Sequence, residues 1–265
     1  MTSLLRGTAL ITGAGSGIGQ ATALAFARYG ARQLALCDIN PDGIAQTTQK
    51  LKDHHKGLEI LSLNADTSLE ADVIHAVEHT ATHFGRLDIA VNNAGINGKA
   101  VASDQLEFRD WRKTLCVNLD GVWLCQRAEI RQMLKQKPLN QASRGGRGII
   151  VNVASMLGLV AASPSTPAVA YAASKHGVMG LTKTDAVMYA PRGIRINAVC
   201  PGYIATPLLE AVGADGVVAR QLEKVPQNRF GSVEEVADAI SFLASPMSSF
   251  VTGHGLVLDG GYSCQ

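Results

Sequence analysis

Seven short aliphatic runs, spaced by longer amphipathic stretches, decide most of what this chain can fold into. They are Thr8–Thr12, Gln33–Cys37, Leu58–Ser62, Leu87–Val91, Gly148–Val153, Ile194–Val199 and Leu256–Leu258. Each is apolar almost without a break, as a strand covered on both faces requires. Helical periodicity fills the intervals near 17–29, 41–55, 69–84, 104–136, 169–190 and 232–244. Parallel neighbours need a crossover, so strands alternating with helices imply a parallel sheet. The expected fold is α/β: a doubly wound, seven-stranded parallel sheet with helices on both faces. No linker or internal repeat divides the chain, so residues 1–265 are read as one domain. Two stretches interrupt the rhythm. Gln136–Arg147 is polar, basic and rich in Gly and Pro, and reads as a long surface loop. Residues 203–230 follow a Pro-Gly turn and read as a mobile, partly helical substrate segment over the carboxyl ends of the strands.

The first strand runs straight into Gly13-Ala-Gly-Ser-Gly-Ile-Gly19, which opens the first helix. Glycines 13, 17 and 19 allow a tight turn and a close approach of backbone to a pyrophosphate, with the free amides of the helix start facing the anion. Ser16 and Ile18 sit in the same turn and are expected to contact the cofactor with it. A tight turn needs no ligand, but here a second strand ends in an acid, as a dinucleotide site demands. Asp38 can accept hydrogen bonds from adenosine ribose hydroxyls and would repel a 2′-phosphate. No Arg or Lys stands at position 16 or 39 to favour that phosphate. NAD is the expected cofactor.

Composition removes several other classes. With 24 Lys+Arg against 22 Asp+Glu, the net charge of +2 is too small to hold nucleic acid by bulk electrostatics. No apolar run is long enough to span a membrane. Five cysteines without C-x-x-C spacing favour neither a disulfide framework nor a structural zinc. The first strand begins too early to leave room for a signal peptide, so a cytoplasmic, reducing location is expected.

The glycine turn, Asn92-Asn-Ala-Gly95, Ser155, Tyr171-Ala-Ala-Ser-Lys175, Pro201-Gly202 and Leu258-Asp-Gly-Gly261 stand in an order that resembles the short-chain dehydrogenase/reductase family from Thr8 to Gly261. The resemblance implies a single-domain Rossmann fold, a nicotinamide cofactor, and Asn118, Ser155, Tyr171 and Lys175 as the catalytic group. It also implies that Asp66 and the Thr67 backbone hold the adenine edge, and that Ile204 and Thr206, after Pro201 and Gly202, grip the carboxamide. Asn93 and Gly95 are expected to touch the cofactor. Tyr171 and Lys175 are four apart on a helix and share a face. A free phenol is too weak an acid to serve as a base at neutral pH, and an adjacent ammonium should lower its pKa. Tyr171 could then take the alcohol proton in oxidation or return it in reduction, while Lys175 also bonds the nicotinamide ribose. Ser155 leaves a strand at the carboxyl edge and has no G-x-S-x-G elbow, so it is read as a substrate-oxygen donor rather than a nucleophile. Asn118 lies within the helix expected over 104–136; it is either a surface residue or, by resemblance, the holder of a relay water.

The main expectation is hydride transfer between NAD(H) and a moderately apolar secondary alcohol or ketone. A 3-oxoacyl thioester reductase, an isomerase or cyclase of a specialised metabolite, and a non-catalytic nucleotide binder are the rivals. The resemblance further implies a homodimer or homotetramer built through helices 104–136 and 169–190. The Ser155–Tyr171 interval is longer than the family usually shows, the excess lying in the Pro/Ser-rich stretch Ala161–Pro167, which puts the pocket wall in doubt. His75, His79 and His83 fall on one helix face but lack a cysteine to complete a metal site, and no metal is expected. Cys264 reads as a tail thiol.

Overall fold

The computed structural model describes residues 4–139, 146–210 and 219–264. Its sheet runs β3-β2-β1-β4-β5-β6-β7, every neighbouring pair parallel. The strands are β1 Thr8–Thr12, β2 Gln33–Asp38, β3 Glu59–Asn64, β4 Ile89–Asn92, β5 Gly148–Val153, β6 Ile194–Pro201 and β7 Gly255–Leu258. Around them lie α1 Gly17–Arg28, α2 Pro41–His54, α3 Glu70–Phe84, α4 Phe108–Leu115, α5 Gly121–Lys135, α6 Val169–Tyr189, α7 Pro207–Glu210, α8 Ala219–Leu222 and α9 Val233–Ala244.

Two-sided burial explains the apolar runs of β1, β2, β4, β5 and β6, whereas the edge strands β3 and β7 are partly exposed because each has a neighbour on one side only. Alternate residues point to opposite faces: Ala9, Ile11, Leu34, Leu36 and Val91 pack with Phe26, Ile44, Val236 and Ile240 of α1, α2 and α9. Leu10, Ala35, Ala90 and Ile150 pack with Val73, Val77, Leu124 and Ala186 of α3, α5 and α6. The chain reverses direction of travel across the sheet between β1 and β4, and ligands of open α/β sheets bind outside the carboxyl ends at such a point. Glycine at 13, 17 and 19, Asn93, Gly95, Ser155 and the chain after Pro201 all leave strands at that edge.

The helix expected over 104–136 is not continuous. A 3₁₀ turn at Ser103–Gln105 precedes α4, and a π turn at Cys116–Asp120 separates α4 from α5. A π turn inserts a residue into the helical ladder and is common at functional sites. β4 begins at Ile89 rather than Leu87, because the Leu87 amide donates to Gln136 Oε1 at 2.7 Å instead of to the sheet. The Gln136–Arg147 stretch lies partly outside the described residues, as does the middle of 203–230; the described flanks of the latter form α7 and α8.

Candidate active site

The glycine turn is shaped by contacts that leave no room for side chains. A Cβ on Gly19 would fall 2.0 Å from Gly13 O, and one on Gly13, whose φ is +66°, would fall 2.7 Å from Asn93 Nδ2. Ser16 is the N-cap of α1, yet its side chain makes no capping bond and the first turn holds no acid. The helix start therefore keeps amides free for an anion. Asn93 and Thr12 hold the turn from behind. Asn93 Nδ2 donates to Thr12 O (3.0 Å) and Gly13 O (3.1 Å), while Thr12 Oγ1 accepts from the amides of Asn93 (3.0 Å) and Ala94 (3.2 Å). The Asn93 amide thus holds the turn in place, and Thr12 is a member of the site that the strand pattern alone hid.

Asp38 ends β2 with its carboxylate over the turn. Oδ2 accepts from Gly15 N (2.8 Å) and Oδ1 from Asn40 N (2.9 Å). Ile39 beside it is 66% exposed, an apolar surface at the mouth. Across β3, Asp66 accepts from Ser68 N (2.8 Å) and Ser68 Oγ (2.7 Å), and Thr67 is buried. None of Asp66, Thr67 or Ser68 caps α3, whose N-cap is Leu69. The segment after β6 reaches the turn from the other side. Gly202 N donates to Leu258 O (2.9 Å), Ile204 is buried, Thr206 Oγ1 accepts from Leu209 N (3.2 Å), and a Cβ on Gly17 would lie 3.7 Å from Thr206 Cγ2. The turn, Asp38, Asp66, Thr67, Gly95 and residues 201–206 all follow or end strands at the carboxyl edge of the sheet.

Ser155, Tyr171 and Lys175 converge at the same edge. Ser155 follows β5, is buried, and N-caps a 3₁₀ turn through Leu157 N to Oγ at 3.1 Å. Its hydroxyl also bonds the half-buried Tyr171 phenol. Lys175 is 3% exposed and donates to Val153 O at 2.7 Å, its Nζ 5.5 Å from the Tyr171 ring centre. The expected lowering of the phenol is not found among the protein's own groups. Burial pushes Tyr171 above its ordinary value, and the Ser155 hydrogen bond offsets only part of that. Burial also lowers Lys175 to about 8. The Lys175 ammonium, bonded to Val153 O, does not offset the effect of burial on the phenol.

Asn118 is fully buried in the π turn, not on a helix surface. Its Oδ1 accepts from Ile96 N and its Nδ2 donates to Ile96 O, both at 2.8 Å. The extra residue of the π turn swings this amide onto the chain just after Gly95, where it fixes the edge of the site. Beneath the same edge runs a polar network with no counterpart in the sequence reading. Asn92 Nδ2 donates to Glu129 Oε2 (3.1 Å) and Asn152 Oδ1 (3.0 Å); Asn152 Nδ2 donates to Gln126 Oε1 (2.8 Å) and Thr182 Oγ1 (2.9 Å).

The remaining features lie elsewhere. His75, His79 and His83 are exposed in a row, with ring centres 5.4 and 6.4 Å apart. No group of ligating side chains among the described residues could hold a metal ion. Cys264 is exposed, and none of the described helices is long and apolar enough to cross a membrane.

A family model for enoyl-(acyl carrier protein) reductase matches residues 13–263. The cyclohexanol dehydrogenase of Acinetobacter sp. (strain SE19) is 40% identical over 259 residues, spanning 97% of this chain and 95% of its own. The chain belongs to the short-chain dehydrogenase/reductase family. The crystal structure of levodione reductase superposes with a TM-score of 0.90 at 35% identity, covering 98% of this chain and 99% of its own. A structure from Agrobacterium tumefaciens with bound NADP matches with a TM-score of 0.83 at 32% identity over 99% and 98%. As a short-chain dehydrogenase/reductase, this chain is an oxidoreductase of the secondary alcohol/ketone type that works with a nicotinamide cofactor.

Proposed function

We propose that the chain, acting as one dinucleotide-binding and catalytic unit, oxidises a moderately apolar secondary alcohol with NAD, or reduces the matching ketone with NADH. The observation that carries this reading is that a helix start with uncapped amides and the group of buried Ser155, half-buried Tyr171 and buried Lys175 stand at one sheet edge. Asp38 supports NAD over NADP: its carboxylate, held by Gly15 N and Asn40 N, would repel a 2′-phosphate, and neither residue 16 nor residue 39 is basic. The bound nicotinamide supplies the hydride acceptor in one direction and the donor in the other.

The protein's part is orientation and proton handling. Ser155 Oγ and Tyr171 Oη hold the substrate oxygen, and Tyr171 Oη takes or gives its proton. Because burial alone raises the phenol, the positive charge that lowers it comes chiefly with the oxidised cofactor. Lys175, held by Val153 O, would hydrogen-bond the ribose of a bound cofactor and take the proton on from Tyr171. Self-association belongs to the same reading. Val187 and Met188 on α6 are 76% and 64% exposed and Phe108 on α4 is 74% exposed, apolar surface suited to a second copy.

Tyr171→Phe tests the core of this. Turnover of secondary alcohols, read as absorbance of the reduced cofactor, should fall at least a hundredfold, while cofactor affinity by fluorescence stays within a fewfold of the parent. Retained turnover would overturn the mechanism.

A further inference from the structure

The buried network under the sheet edge has a direction, and its outer end is at the surface. Gln126 Nε2 donates to Oδ2 of the half-buried Asp185 on α6 at 2.7 Å. A carboxylate offers only acceptors, so the Gln126 amide turns its nitrogen outward and its oxygen inward. That oxygen takes one N–H of Asn152, and Thr182 Oγ1 takes the other. Asn152 Oδ1 then faces Asn92 Nδ2, whose second N–H goes to Glu129 Oε2. Both donors of each asparagine are in use, so neither amide can turn over without losing bonds. Asn92, Gln126, Glu129, Asn152 and Thr182 are all buried, which leaves no bulk water to replace a lost partner.

This network is fastened to the site at both strand ends. Asn92 and Asn152 are register partners near the carboxyl ends of β4 and β5. Asn92 is followed by Asn93, whose amide holds Thr12 O and Gly13 O of the glycine turn. Asn152 is followed by Val153, whose carbonyl holds Lys175 Nζ, and then by Ala154 and Ser155. Gln126 and Glu129 stand one turn apart on a face of α5 and close the network from the helix side. We propose that Gln126 and Glu129 are positioning residues for the reaction: through Asn152 and Asn92 they hold Ser155 and the glycine turn in the mutual placement that hydride transfer needs. A misplacement of about 1 Å at a reacting centre can cost about a hundredfold in rate. This rests on the proposed reading of Ser155 and Tyr171 as the reacting centre.

The test measures kcat and KM for cyclohexanol, 2-butanol and 1-phenylethanol with NAD and with NADP. Rates are expressed per cofactor-binding site, the sites being counted by fluorescence titration with NADH. Gln126→Leu and Glu129→Leu should each lower kcat by about tenfold or more, with NADH affinity falling less than kcat. Glu129→Gln keeps an acceptor for Asn92 Nδ2 and should restore kcat to within about threefold of the parent. If neither Leu variant folds, Asp185→Ala, made at the half-buried outer end, frees the Gln126 amide to turn and should lower kcat severalfold at an unchanged melting temperature. A purely structural role would instead lower the melting temperature and the number of binding sites while kcat per site held. That result in the Leu variants, an unchanged kcat in Asp185→Ala, or a Glu129→Gln as slow as Glu129→Leu would overturn the proposal. No oxidation of any of the three alcohols by the parent with either cofactor would overturn the reading of the site itself, and this proposal with it.

Discussion

Replacing Glu129 with Gln should stabilise the protein, and by an amount that depends on pH. Glu129 lies on α5 with no exposed surface, beneath the ends of β4 and β5. One oxygen accepts from Asn92; the other, and Asn92 Oδ1, are buried acceptors with no donor among the described residues. Burial raises the carboxyl to about 8 from an ordinary 4.5, and a proton on the bare oxygen would supply a missing donor. At pH 7 folding must therefore bind a proton that the unfolded chain has released, which costs about 3 kcal/mol at roughly 1.4 kcal/mol per pH unit. The folded pKa is the higher one, so the parent is favoured at low pH and loses stability as pH rises from about 4.5 to about 8. Glu129→Gln is neutral throughout and escapes that loss. Its advantage should be near zero at pH 4.5, about 3 kcal/mol at pH 7, and level above pH 8. In thermal melts at pH 7 this corresponds to roughly 6–12 °C. Urea titrations of both proteins at pH 5, 6.5 and 8 measure it. A difference that stays constant over that range, or that shrinks as pH rises, would show that Glu129 is ionised in the fold and refute the reasoning.

Three further outcomes follow from the site. Gly19→Ala would place a methyl 2.0 Å from Gly13 O, so cofactor affinity measured by fluorescence titration should drop more than tenfold, over about 1.4 kcal/mol; unchanged affinity would mean that the turn does not hold the pyrophosphate. Asn118→Ala removes both bonds to Ile96 and should lower kcat at least tenfold while cofactor affinity changes less than kcat, since each stranded buried group costs about 1–3 kcal/mol; an unaltered kcat would remove Asn118 from the proton path. Asp38→Ala should reduce the ratio of NAD to NADP affinity at least tenfold, the scale of a charge-assisted hydrogen bond; an unchanged ratio by calorimetry would sever Asp38 from cofactor choice.

Strand existence was legible because a strand buried on both faces has to be apolar at every position, and the alternation of Ala9 and Ile11 against Leu10 across the sheet shows that burial directly. The glycine turn was legible for a related reason: its backbone path excludes a Cβ at Gly13 and Gly19, and only one residue type meets that condition. The break in the 104–136 helix was not legible. A π turn adds a residue without altering the polar and apolar pattern much, and the bond it allows joins Asn118 to Ile96, 22 residues earlier. Gln126 and Glu129 read as ordinary polar helix residues until Asn92 and Asn152 are seen facing them.

By itself, then, the sequence determined the alternation of strand and helix, the glycine turn between β1 and α1, and the order of short motifs by which the family could be read. These are written in residue type and short spacing. The tertiary structure alone decided the ionisation of individual groups: that burial raises Tyr171 and lowers Lys175, and that Glu129 favours its protonated form. The reason is physical. Solvation and hydrogen-bond supply at an atom depend on everything packed within a few ångströms of it, and most of that comes from distant parts of the chain.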